Sequence, residues 1–249
     1  MEKDRISSMG NYIIEQGEVT TEELSKKFDV SIVTVRRDLK KLEKDNVITK
    51  IYGGAKAKSD KLETFIKRKS LNAGSKHYIT NIAKDYIEDG DRIFIDSGTT
   101  VENLLNLLDD NIHLTVFTNN LSVINVASKM PNVNLFIVGN FYNNISNSFT
   151  YWGKSSELYS FNIDKAFMCT SGFTIKDGLT NKNPIEQEIK DMICKLADYI
   201  ILLVDDSKVG KTSLMTYADV KDIDMIITNK KPSKEYIDYF DSHDIKYRY

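Results

Sequence analysis

Arg92-Ile93-Phe94-Ile95-Asp96-Ser97-Gly98-Thr99-Thr100 is the stretch on which the reading of this chain turns. Arg92 to Ile95 is a short run of strand type, and from Val101 to Leu108 the apolar residues recur at helical spacing. A strand that passes into a helix leaves the first helical N–H groups unpaired at the positive end of the dipole, a place that favours a phosphate. Gly98 lets the backbone approach closely, and Ser97, Thr99 and Thr100 add hydroxyl donors. Asp96 repels phosphate but accepts hydrogen bonds from neutral hydroxyls, so the stretch suits a ligand with a phosphate at one end and a polyol at the other. A capped helix after a tight turn, without any ligand, is the plain alternative.

On either side the same alternation continues. A helix is expected over 75–87, then strand 92–95, helix 101–108, strand 114–117, helix 121–129, strands 134–138 and 165–169, helix 184–197, strands 199–204 and 224–228, helix 233–241 and a last strand near 245–248. Short β-branched runs alternating with helices imply an α/β domain built on a largely parallel, open sheet covered on both faces. Ligands of such sheets bind beyond the carboxyl ends of the strands. The residues expected to converge there are Asp96 to Thr100, Thr118-Asn119-Asn120, Gly139-Asn140, Thr170-Ser171-Gly172 and the loop Asp205 to Gly210. Asn119 and Asn120 suit sugar hydroxyls, and Lys208 is expected to supply a positive charge; each loop alone is also ordinary turn chemistry. Gly210-Lys211-Thr212 imitates the tail of a nucleotide-binding P-loop, but the glycine required five residues earlier is Asp205, which excludes that reading.

Composition bounds the function classes. At 249 residues the chain is long enough for one large domain, or for a large one with a small one, and with 41% hydrophobic and 28% charged residues it reads as an ordinary soluble globular protein. The longest apolar run, Tyr199 to Val204, is too short to span a membrane, and Met1-Glu2-Lys3-Asp4 lacks a signal-peptide core. Cys169 and Cys194 lack metal-ligand spacing, and His77, His113 and His243 are scattered, so neither a metal nor a cofactor is expected and a reduced, cytoplasmic setting is. The net charge of −2 conceals an asymmetry: residues 31 to 58 carry eight Lys/Arg against three Asp/Glu, while the rest of the chain is acidic. A basic island in an acidic chain points to a polyanion at that place alone.

The island has its own pattern. Ile6, Met9, Ile13 and Ile14 recur at helical spacing, Thr20 and Glu23 have the form of a capping box opening a helix that ends near Phe28, and Asp29-Val30-Ser31 is a tight turn. In the next helix, 32–45, Ile32, Val35, Leu39 and Leu42 share one stripe, with Arg37, Lys40, Lys41 and Lys44 opposite. Two short helices about a three-residue turn fit a helix-turn-helix at 20–39, its second helix lying in a major groove. Ser31, Thr34, Arg36 and Arg37 are then placed for base edges, and Lys40, Lys41 and Lys44 for phosphates. Residues 47 to 52 with Gly53-Gly54 read as a wing, bringing Lys50, Lys56 and Lys58 to the DNA backbone or minor groove. A solvated basic helix in a small bundle is the bland alternative.

Val30-Ser31 with Thr34-Val35-Arg36-Arg37-Asp38-Leu39, followed by Gly53-Gly54-Ala55, resembles the DNA-binding signature of the DeoR family of bacterial transcription regulators across residues 3 to 58. The larger part resembles the family's sensor across about 68 to 230 at Arg68, Lys76, Ile82-Ala83, Asp96 to Thr100, Thr118-Asn119, Gly139, Gly153, Asp164, Ala166-Phe167, Gly172, Gly178-Leu179-Thr180, Glu186, Lys190, Asp205 and Ser207-Lys208. The resemblance implies a winged helix-turn-helix over 1–58, a linker over 59–74 and, over 75–249, a sensor of phosphorylated sugars similar in fold to ribose-5-phosphate isomerase and glucosamine-phosphate deaminase. It brings Glu186 into the expected ligand set. Asn140, where a second glycine is usual, and Cys169, where glycine is frequent, depart from the pattern and bear on which ligand is bound rather than on its class.

Two functions follow. In one, a homo-oligomer, dimer or tetramer, binds double-stranded operator DNA as a repressor and releases it when a sugar phosphate binds. In the other, the chain is a sugar-phosphate isomerase or deaminase with a DNA-binding module, its acid and base drawn from Asp164, Glu186, Asp205 and Lys208. The absence of a dedicated base in a recognisable motif favours the first, non-enzymatic reading.

Overall fold

The computed structural model describes residues 2–44, 48–57, 65–151 and 160–249. Val47, Lys58 and Gly153, included in the readings above, lie outside these. The chain divides into two compact units, Met1–Leu71 and Asn72–Tyr249.

In the first unit, α1 (Glu2–Gln16) leads through β1 (Glu18–Thr20) into α2 (Thr21–Phe28), α3 (Ile32–Lys44), the hairpin β2 (Ile48–Ile51) and β3 (Gly54–Ala57), and α4 (Phe65–Ser70), a helix inside the stretch read as linker. The capping box is present: Glu23 N–H donates to Thr20 Oγ1 at 3.2 Å and Thr20 N–H to Glu23 Oε2 at 2.8 Å. Asp29 ends α2 in the left-handed conformation, φ 49°. Met9, Ile13, Leu24, Val35, Leu39, Leu42 and Ile48 make one buried core. Ile32 does not join them. It is 37% exposed, and the buried side of α3 is completed instead by Asp38, whose Oδ2 accepts from Arg5 Nε at 2.9 Å. The three strands pair antiparallel in the order β1-β3-β2, making the wing part of a small sheet. Gly54 allows that pairing, since a side chain there would meet the Val19 carbonyl.

The second unit opens with α5 (Ala73–Ala83) and β4 (Arg92–Ile95), then β5 (Leu114–Thr118), α6 (Leu121–Ala127), β6 (Val133–Ile137) and a hairpin, β7 (Phe141–Asn143) with β8 (Ser148–Thr150). It continues with β9 (Ile163–Cys169), β10 (Gly172–Thr174), β11 (Gly178–Asn181), α7 (Gln187–Leu196), β12 (Ala197–Leu203), β13 (Met215–Ala218), β14 (Met225–Ile227), α8 (Lys234–Ser242) and β15 (Lys246–Arg248). Seven strands form one sheet in the order β15-β14-β12-β9-β4-β5-β6, every pair parallel. Period-two alternation sorts its side chains. Phe94, Ala166, Met168, Ile200 and Leu202 face a core shared with Met192, Ile193 and Phe240, whereas Ile93, Ile95, Phe167, Ile201 and Leu203 face one shared with Ile79 and Val123.

Two expectations change here. Residues 101–108 are not an α-helix but a series of turns ending in a 3-10 turn, Leu105–Leu107, with Leu104, Leu107 and Leu108 N–H groups bonded three residues back. Val101, Leu104 and Leu105 are all buried and Thr99-Thr100-Val101 are β-branched, so burial of a short segment overrides its helical spacing. β10, β11 and β13 form a separate antiparallel sheet that the alternating pattern concealed.

Candidate functional site

Chain order runs outward from β4 to β5 and β6 on one side and resumes with β9, β12, β14 and β15 on the other, so the strand order reverses between β4 and β9. At such a switch point the loops leave in opposite directions and open a crevice beyond the carboxyl ends. Asp96 follows β4, Asn119 and Asn120 follow β5, Thr170 follows β9 and Asp205 follows β12, and because these strands are parallel all four loops leave at one end of the sheet.

Asp96 is fully buried at the centre. Its Oδ2 pairs with Lys190 Nζ and accepts from Cys169 N–H at 2.9 Å; its Oδ1 lies 3.3 Å from Ser97 Oγ. Lys190 also donates to the Cys169 carbonyl at 2.9 Å and lies 5.1 Å from the centre of the Tyr217 ring. Burial opposes charge on Lys190, yet Asp96 and Glu186 together raise its pKa above the ordinary 10.5. A buried cation stands at the centre in Lys190, which α7 carries under the β4–β9 junction to pair with Asp96; Lys208, half-buried, lies in the loop after β12.

The chain from Ser97 to Thr100 forms the rim. No backbone N–H of these four residues meets an acceptor among the described residues, and neither does the Thr99 hydroxyl. Backbone donors in succession make a concavity for an oxyanion without needing a helix behind them. Gly98 is required for a reason other than close approach of a ligand: a Cβ there would lie 2.3 Å from Cys169 Cβ. Burial and then the Asp96 charge push the Cys169 thiol up to about 12.

The remaining expected residues divide by what they hold. Ser97 Oγ donates to Glu186 Oε1 at 3.0 Å and Asn181 Nδ2 to Glu186 Oε2 at 2.9 Å, so Glu186 ties the rim to β11. Asn120 Nδ2 donates to the Asp96 carbonyl at 3.2 Å while its Oδ1 caps α6. Asn119 Nδ2 donates to the Phe149 carbonyl at 3.1 Å, and its Oδ1 is buried without a partner among the described residues. Asp205 Oδ1 accepts from Asn72 Nδ2 at 3.1 Å and from Ser207 N–H at 3.0 Å. The Gly172 carbonyl accepts from the hydroxyls of Thr170 and Thr180. Asp164 stands apart. It lies at the start of β9, the opposite end of the sheet, and bonds Arg92 N–H at 2.8 Å.

On the first unit, Thr34 N–H donates to Ser31 Oγ at 3.2 Å, so Ser31 caps α3, and the two hydroxyls lie 3.0 Å apart. Arg36, Arg37, Lys40 and Lys41 are exposed along α3; the side chain of Lys44 lies outside the described residues. Arg36 and Lys50 line a groove with Thr21, Gly53 and Gly54, and Lys50 Nζ lies 3.1 Å from Glu43 Oε2. One exposed residue escaped the pattern reading, Val33, 76% exposed beside the capped start of α3; Tyr52, within the stretch read as the wing, is fully exposed at its tip. Val33 lies off the apolar stripe, which was its available signal.

Among the described residues no cluster of three His, Cys, Asp or Glu is arranged to hold a metal, and no helix is long and apolar enough to cross a membrane. The family described as DeoR-like helix-turn-helix domain matches residues 5–61, and the DeoR C terminal sensor domain matches residues 71–230. The chain is 40% identical over 242 residues to the HTH-type transcriptional regulator IolR of Bacillus subtilis (strain 168), covering 97% of this chain and 96% of that protein. It is 31% identical to the lactose phosphotransferase system repressor of Staphylococcus epidermidis (strain ATCC 12228 / FDA PCI 1200), covering 95% and 96%. Among solved structures it is similar to ribose 5-phosphate isomerase from Plasmodium falciparum, at 17% identity and a TM-score of 0.40, covering 55% of this chain and 52% of that one.

Proposed function

The chain belongs to the DeoR family of DNA-binding transcription regulators, and on that premise we propose that it represses a carbohydrate-utilisation operon and releases the operator when a phosphorylated sugar occupies the cradle at the β4–β9 junction. The observation that carries this reading is the run of four N–H groups from Ser97 to Thr100 without protein acceptors, set where the strand order reverses. They take the phosphate, with the Thr99 hydroxyl beside them. Asn119 Oδ1, Glu186, Asp205 and Lys208 meet the hydroxyl end, while Asp96, Asn120 and Gly172 fix the loops that carry these groups. Relatives named for a lactose phosphotransferase system and for a glycerol-3-phosphate regulon support the carbohydrate class.

On the other unit, α3 enters the major groove. Arg36 and Arg37 read base edges with the capped Ser31–Thr34 start, Val33 offers its methyl groups to thymine, Lys40, Lys41 and Lys44 neutralise phosphates, and Lys50 with the wing meets the flanking backbone. Two such units in a homo-oligomer, working in the cytoplasm, are needed to read paired half-sites. The sensor does no chemistry in this account: one candidate base, Asp164, is at the far end of the sheet, and Glu186 already accepts hydrogen bonds through both oxygens. A gel shift on the DNA upstream of the chain's own gene, repeated with fructose phosphates, tagatose phosphates and glycerol phosphate, tests the proposal. Retention at low salt and release by a phosphorylated member are expected; failure to retain any fragment contradicts it.

A further inference from the structure

Beyond the carboxyl ends of β12 and β14, away from the 97–100 rim, lies a cavity of about 240 Å³. Its floor is apolar. Phe173, Tyr236 and Phe240 pack as three rings with centroids 5.3 to 6.3 Å apart, and Val204, Val209 and Ile226 complete the wall. Its mouth is cationic, with Lys230 and Lys231 at the entry to α8.

Three features of the mouth point to an anion. The first-turn N–H groups of α8 have no intrahelical acceptors, and Ser233, the N-cap residue, makes no side-chain hydrogen bond to them. Thr228, 2% exposed, lines the same cavity, and its hydroxyl has no partner among the described residues. A buried hydroxyl left unpaired is unfavourable, and a ligand able to bond it recovers that cost. The carboxylate in the wall, Asp206, is occupied by Asn229 Nδ2 at 3.0 Å and lies 4.0 Å from Lys230 Nζ. Glu235, in the first turn, is solvent-exposed.

We propose that this cavity is a second small-molecule site, for a phosphate monoester with a compact aromatic or apolar body. The phosphate caps α8 between Lys230 and Lys231 and bonds Thr228, and the body lies on the three rings. The site stands whether or not the cradle over the β4–β9 junction takes a sugar phosphate.

Isothermal titration of the full chain with phenyl phosphate tests it, with inorganic phosphate and phenol as controls. One phenyl phosphate per chain is expected, with each control at least about tenfold weaker because it engages only half the site. Thr228→Val and Lys231→Ala are expected to weaken phenyl phosphate binding, Thr228→Ser to retain it, and Thr99→Val to leave it unchanged. Absence of binding overturns the proposal, as does equal binding of inorganic phosphate. Loss in Thr99→Val with no effect in Thr228→Val assigns the molecule to the cradle and overturns it too.

Discussion

Asp96 and Lys190, 94 residues apart in sequence, form a buried ion pair at the point where the strand order of the sheet reverses. The side chains are 0% and 5% exposed, and each also bonds the Cys169 backbone, Asp96 through the N–H and Lys190 through the carbonyl. The pair thus joins the end of β4, the end of β9 and α7 beneath the rim that is proposed to bind phosphate.

Removing one partner leaves an uncompensated buried charge, so Asp96→Asn or Lys190→Met is expected to destabilise the sensor unit by about 3–5 kcal/mol. Removing both is expected to cost less than the two single changes added together, as a double-mutant cycle in urea unfolding would measure. Additive losses would mean that the two groups do not interact.

Two groups are expected to contribute to opposite limbs of the pH–stability curve. Lys190 is raised above 10.5, burial lowering its pKa and the Asp96 charge more than reversing that, so its contribution is complete below pH 10.5 and is lost as pH rises through the raised value. Asp164 is lowered from 3.8, chiefly by its hydrogen bonds from Arg92, so its contribution is present above pH 3.8 and is lost as pH falls through the lowered value. Lys190→Met should flatten the alkaline limb and Asp164→Asn the acid limb, read from melting temperature against pH.

Gly98 and Cys169 share one space. Gly98→Ala drives a Cβ to 2.3 Å from Cys169 Cβ and is expected to destabilise by about 1–3 kcal/mol, as overpacking does. Adding Cys169→Gly should recover most of the loss. If the double variant is no more stable than Gly98→Ala alone, Cys169 is not what excludes a side chain at position 98.

Arg37→Ala is expected to weaken operator binding by about 1–3 kcal/mol, through lost base contacts, without moving the sensor's melting transition. Lys40→Ala should weaken binding to all DNA alike and lower the slope of log affinity against log salt by about 1. Equal effects on operator and unrelated DNA in both variants would place Arg37 on the phosphates.

Much of this was legible from residue pattern. β4 at Arg92–Ile95 and the capping box at Thr20 and Glu23 stand where their spacing puts them, since local chemistry decides both. Residues 101–108 misled because their spacing is helical while their burial demands tighter turns. β10, β11 and β13 are three to four residues each, too short to show a period. The family resemblance marks Lys190 but not its pairing; only the crossing of α7 under the sheet brings it to Asp96, a long-range fact that spacing along the chain does not carry.

In the proposed switch, a phosphate caught by the Ser97–Thr100 backbone and the Thr99 hydroxyl loosens the grip on DNA. Fluorescence anisotropy of labelled operator, titrated with the sugar phosphate that releases the wild type, tests it most directly in Thr99→Val. This variant is expected to bind operator as the wild type does and to need at least about tenfold more of the sugar phosphate for release, consistent with the loss of one hydrogen bond to a charged group. Release of Thr99→Val at the wild-type concentration would contradict it.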